Sequence, residues 1–83
     1  MLDYIKKRAK NNYEEIMKII KECKTKTDII NRIRQEDVII DEFKDVINII
    51  KDELKIVIKT DNKITVEKVL VFDENYEDYV NLF

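Results

Sequence analysis

Apolar residues recur at steps of three and four through the first 23 positions: Leu2, Ile5, Ala9, Tyr13, Ile16, Ile20 and Cys23. This spacing lines one stripe of a helix and predicts an amphipathic α-helix over residues 1–23. Lys7, Lys18 and Lys21 fall on its outward side with Lys10 nearby, which makes a basic ridge. Glu14 precedes Lys18 by four residues, the orientation that favours a helical ion pair. Asn12 followed by Glu15 has the pattern of a second helix start, so a bend at Asn11-Asn12 is expected.

A polar punctuation, Lys24-Thr25-Lys26-Thr27-Asp28, separates this stripe from Ile29, Ile30 and Ile33. Thr25 with Asp28 three residues on, or Thr27 alone, would cap a short helix over residues 26–34. Beyond it, Ile39, Phe43, Val46, Ile47, Ile50 and Leu54 again fall along one helical stripe, widened by Val38, Ile40 and Ile49. That arc covers a little over half a helical circumference and predicts a central core helix over residues 36–53. Its remaining face carries Asp37, Asp41, Asp45 and Asp52, interrupted by Lys44, Asn48 and Lys51.

At Leu54 the period changes to two. Leu54, Ile56 and Ile58 alternate with Lys55, Val57 and Lys59, and Ile64, Val66, Leu70 and Phe72 follow Asp61-Asn62-Lys63, so residues 54–72 read as a β-hairpin. A two-residue Asp61-Asn62 turn would set Ile58 against Thr65, mixing apolar and polar on each face. A three-residue loop sets Ile58 against Val66 and Leu54 against Leu70, with only Lys68 out of place, and burial selects that register. Residues 73–83 hold four acids, two Tyr and a terminal Phe, and read as an acidic C-terminal tail. The whole is expected to be a single α+β domain: three helices followed by a β-hairpin.

Composition narrows the function. Fifteen of the 83 residues are Ile, while Gly, Pro, His and Trp are absent and Cys23 is the one cysteine. Without Gly there is no phosphate-cradling loop or dinucleotide fingerprint. Without His there is no Ser-His-Asp or Cys-His pair and no ordinary zinc spacing. One Cys forms no internal disulfide, and its place at the end of the first stripe suits a small buried hydrophobe. These absences argue against an enzyme, and no cofactor or metal is expected. The longest apolar run is Val69–Phe72, far short of a bilayer span, so a cytoplasmic location is expected.

Charge is unevenly divided. Residues 1–34 hold ten Lys/Arg against five Asp/Glu, whereas residues 35–83 hold six against thirteen, for a net of −2. Polarity of this kind speaks about partners and solubility more than fold.

The order helix, short helix, long helix, hairpin resembles a winged helix-turn-helix domain over about residues 12–72. In that resemblance Thr27–Ile33 stands for the positioning helix, Arg34-Gln35-Glu36 for the turn, Asp37–Asp52 for the recognition helix and Lys55–Phe72 for the wing. The spacing of Ile33, Ile39, Phe43, Val46 and Ile50 is similar to the family's core, and the turn departs from it in having no Gly. The resemblance implies a DNA-binding regulatory or accessory protein, with a dimer as the expected assembly. An aspartate-lined recognition helix would meet the DNA polyanion with like charge, so the expected contacts move to basic residues. These are Lys6, Lys7, Arg8 and Lys10; Lys24, Lys26, Thr27, Arg32 and Arg34; and Lys55, Lys59 and Lys63 of the hairpin.

The alternative is a protein-binding adaptor or inhibitor of the kind mobile elements encode. It would use the acidic face of Asp37, Asp41, Asp45 and Asp52, or the tail residues Tyr79, Leu82 and Phe83. The tail loosely resembles the short apolar peptides that dock on sliding DNA clamps, with the final Leu-Phe as the matching part. A solvated outer helix face remains the ordinary reading of such an acidic stripe.

Overall fold

The computed structural model describes residues 2–83. Two helices, α1 (Asp3–Ile20) and α2 (Lys26–Ile33), precede five strands: β1 (Ile39–Phe43), β2 (Val46–Lys51), β3 (Leu54–Lys59), β4 (Thr65–Asp73) and β5 (Asp78–Asn81). The strands form one antiparallel meander in the order β1-β2-β3-β4-β5. The architecture is α+β, but the expectation of three helices followed by a hairpin is overturned.

The first two helices lie where the periodicity places them. Thr25 caps α2, its Oγ1 accepting the Asp28 amide hydrogen at 3.1 Å. α1 runs as one continuous helix through Asn11-Asn12, so the expected second helix start is absent. Asn12 turns inward instead and donates from Nδ2 to Asp52 Oδ2 at 3.2 Å.

The expected core helix over residues 36–53 is β1 and β2, joined by the two-residue turn Lys44-Asp45 that sets Phe43 opposite Val46. The physical reason lies in side-chain shape. Of eight apolar residues between positions 38 and 50, seven are Val or Ile, whose branched Cβ loses rotamer freedom in a helix and packs well on a pleated sheet. A second tight turn, Asp52-Glu53, sets Lys51 opposite Leu54. Such turns need a residue with positive φ, and in a chain without Gly that position falls to Lys44 (φ 53°) and Asp52 (φ 51°). The residues assigned by resemblance to a recognition helix therefore form a β-hairpin. The expected acidic tail is ordered too: its residues 78–81 are β5, paired along β4 from Leu70↔Asn81 to Asp73↔Asp78.

The hairpin of β3 and β4 is present, with half of its expected register. Ile58 faces Val66, but Val57 faces Lys68 and Leu54 faces Val71, not Leu70. One extra residue, Glu67, bulges from β4 and shifts the phase of everything after it. Val69 and Val71 consequently join Val66 on the helix side, while Lys68, Leu70 and Phe72 turn to the opposite face.

The core is the layer between helices and sheet. Ile16 and Ile20 of α1 and Ile29 and Ile33 of α2 meet Ile47, Ile49, Leu54, Ile56, Ile58 and Val71 from alternate positions of β2, β3 and β4. Each such side chain contributes about 1.5–3 kcal/mol relative to exposure. Leu82, just past β5, closes this layer at 2% exposure, with its amide donating to Val69 O at 3.0 Å. α1 is fixed over the β2–β3 turn by the ion pair of Arg8 with Glu53 and by the Asn12–Asp52 bond. Among the described residues, no helix is long and apolar enough to cross a membrane.

Candidate nucleic-acid interface

Strand alternation sends every second residue of the sheet away from the helices. On β3 these are Lys55, Val57 and Lys59, between the buried Leu54, Ile56 and Ile58. On β4, because of the bulge at Glu67, they are Lys68, Leu70 and Phe72; on β5 they are Tyr79 and Asn81. Among the described residues no element covers this face, and its residues are half-buried or exposed.

An aromatic pair, Phe72 and Tyr79, lies at its β4–β5 end. The rings of Phe72 and Tyr79 lie 5.5 Å apart, edge to face at 75°, a favoured arrangement for aromatic quadrupoles. The Lys55 ammonium sits 5.0 Å from the Tyr79 ring centre, within range of a cation–π attraction. Lys68 stands beside Val57 in the neighbouring row, and Lys59 lies farther along β3. Lys59 Nζ is 3.7 Å from Asp61 Oδ2 in the β3–β4 loop. The Asp61 carboxyl is held below the usual carboxylate range, first by the Asn62 amide hydrogen it accepts at 2.7 Å and also by Lys59.

Carboxylates are sparse here. Among the described residues the acids of this face are Glu67, exposed at the bulge next to Lys68, and Asp41 on β1, which shares a row with Asn48, Val57 and Lys68. Three inter-strand spacings separate Asp41 from Lys68, roughly 14 Å at the usual strand separation. That exceeds the Debye length of about 8 Å at physiological salt. Most other acids of the sheet region sit in connections: Asp45, Asp52, Glu53, Asp61, Glu74 and Glu77.

The cationic residues expected to bind DNA do not converge on one patch. Lys55 and Lys59 share the open face, with Lys63 exposed in the loop that follows. The rest belong to the helical layer on the other side, several already engaged. Arg8 is paired with Glu53; Arg32 Nη2 reaches Glu22 Oε2 at 2.7 Å; Lys26 Nζ lies 2.8 Å from Glu42 Oε1 and donates to Lys44 O at 3.1 Å. Lys10 lies 5.7 Å from the Phe83 ring centre. Lys6, Lys7, Lys24, Thr27 and Arg34 are exposed on or beside α1 and α2.

The acidic surface expected on a helix is dispersed. Asp37 precedes β1, Asp41 lies within it, and Asp45 and Asp52 occupy successive turns. Leu82 is buried and unavailable as the anchor of a docking peptide, whereas Phe83 is exposed with its ring edge against Tyr13 at 5.2 Å. Tyr79 belongs to the open sheet face. Sequence reasoning missed Lys68 and Phe72 as members of that face, because only the bulge brings them there.

Comparison with family models, with curated proteins and with solved structures found no match to this chain.

Proposed function

We propose that the protein is a non-enzymatic accessory or regulatory factor that binds a single strand of nucleic acid across the open sheet face. The observation that carries this reading is the grouping of Phe72, Tyr79 and Lys55 beside Lys68 and Lys59 on one uncovered surface. Single-strand binding combines cations that track the phosphates with aromatic rings on which bases stack, and it needs no base-specific donor pattern. A flat sheet suits splayed bases better than the major groove of a duplex, which takes a helix or a two-stranded ribbon. The proposed setting is the cytoplasm, supported by the buried free thiol of Cys23.

The test is fluorescence anisotropy with a labelled oligothymidylate across a salt series. Three lysine–phosphate contacts give a slope of log affinity against log salt of about −2 for a single strand. Lys59→Glu and Lys68→Glu, both at exposed positions, each flatten that slope and weaken binding, while Lys6→Glu on α1 does not. Absence of binding at low salt overturns the reading, as does equal affinity in the Lys68→Glu protein.

A further inference from the structure

β1 is an outer strand, paired with β2 on one side and bearing an open backbone edge on the other. Natural edges are commonly blunted by Lys, by Pro, by shortness or by a covering element. β1 has none of the first two and shows two large apolar side chains, Ile39 at 65% and Phe43 at 69% exposure. Between them, on the same face, stands Asp41, which has no cation within 4.0 Å among the described residues. The neighbouring carboxylate of Glu42 points to the other face and is engaged by Lys26. The opposite edge, β5, is different: four residues long, with Tyr79 and Val80 half-buried.

In the registers of fullest overlap, charge favours one kind of partner for this edge over another. A second copy of β1 laid antiparallel and centred on Asp41 would oppose Asp41 to Asp41. Antiparallel pairing with β5 of another copy, with Asp41 opposite Tyr79, would set Glu42 opposite Asp78. Like charges directly opposite each other destabilise a strand pair. A strand carrying Lys or Arg opposite Asp41, with apolar residues two positions to either side against Ile39 and Phe43, meets no such conflict.

We propose that the β1 edge docks an extended segment of a partner protein by strand addition, the segment reading apolar, any residue, basic, any residue, apolar. Main-chain hydrogen bonds supply attachment, and the alternating side chains supply selectivity. This surface lies at the far end of the sheet from Phe72 and Tyr79 and does not depend on the nucleic-acid reading.

The probe is the blocked peptide Thr-Val-Thr-Lys-Thr-Val-Thr, which presents the same pattern in either strand direction, titrated into the isotope-labelled full chain. The expected result is amide shift changes and slowed hydrogen exchange confined to residues 38–44. Asp41→Lys weakens binding roughly fivefold, and a peptide with Glu in place of Lys regains affinity for that variant but not for the unaltered chain. Asp41 is exposed, so the variant retains its fold, verified by unchanged circular dichroism. The proposal is overturned by equal binding of the Lys and Glu peptides. It is equally overturned by a peptide with central Pro that binds as well, by shifts that map to Lys55 and Lys68 instead of β1, or by absence of any shift. Protection of β1 that rises with protein concentration in the absence of peptide would assign the edge to a second copy instead.

Discussion

The ammonium of Lys55 lies over the ring of Tyr79, 5.0 Å from its centre, although the two residues are on strands separated by β4. Lys55 pairs with Leu70 and Leu70 with Asn81, so the ammonium reaches Tyr79 diagonally, and one end of the open face presents a cation and an aromatic surface together. If bases stack there, Tyr79→Leu reduces affinity for oligothymidylate by about 1–3 kcal/mol, a loss of about 5- to 150-fold. Tyr79→Phe keeps the ring and leaves affinity within about twofold of the original. Anisotropy of both variants at one salt concentration separates stacking from general stickiness, since both changes are conservative in size.

The bulge at Glu67 gives a sharper structural test. Removal of Glu67 leaves Val66, Lys68, Val69, Leu70 and Val71 in unbroken alternation, with Lys68 still outward and Val69 still inward. The shortened chain is expected to fold with Ile56 opposite Val69 and Leu54 opposite Val71, and to change stability by no more than about 1 kcal/mol. Cross-strand nuclear Overhauser contacts between Ile56 and Val69 verify the register. Their replacement by contacts between Leu54 and Leu70 would show that burial does not set the phase of β4.

Glu77 closes the β4–β5 turn with a left-handed backbone, φ 52°. The turn begins with Asp73, buried and accepting the Asn75 amide hydrogen on Oδ1 at 2.9 Å, and continues through Tyr76 N to Asp73 O at 3.2 Å. Left-handed backbone costs an L-residue roughly 1–2 kcal/mol, part of which Gly regains after its own entropy loss. Glu77→Gly is therefore expected to raise stability by about 0.5–1 kcal/mol in urea unfolding. Glu74→Gly, at the other end of the same loop, brings no gain.

Cys23 is buried, and its Sγ lies 3.2 Å from Ile19 O. Desolvation, as the largest cause, raises the thiol above its ordinary range, with Arg32 pulling the other way. The folded state therefore favours the neutral thiol over the thiolate. Its contribution to stability is complete below the unfolded thiol's pKa and is lost as pH rises from there through the folded value. Alkylation of the native chain near neutral pH is expected to be far slower than in urea, with its rate midpoint displaced upwards. Equal rates in both states would mean that the site is open to solvent.

The open face and the β1 edge were only partly legible along the chain. Ile39, Phe43, Val46 and Ile50 are spaced four, three, four, which a helix explains. A two-residue hairpin explains the same numbers: two strands of period two joined at Phe43 and Val46 leave a step of three at the turn and steps of four along each strand. Side-chain branching carried the distinguishing signal, as did the polar pairs Lys44-Asp45 and Asp52-Glu53 set eight residues apart. Lys55 and Lys59 stood out by alternation. Lys68 and Phe72 did not, because a single unpaired residue inverts the face of every position after it, and nothing local marks Glu67 as that residue.

Local chemistry alone thus determined what depends on neighbours a few residues away: the stripe of α1, the Thr25 cap of α2 and the alternation of β3. Contacts between distant segments decided the rest. Burial of Ile47 and Ile49 beneath the helices turned an apparently helical stretch into two strands, pairing with β4 recruited the last residues into the sheet, and the register past the bulge placed lysines beside aromatic rings. A periodic pattern records which residues prefer to be dry, and it is the packing partner, present only in three dimensions, that settles which backbone satisfies them.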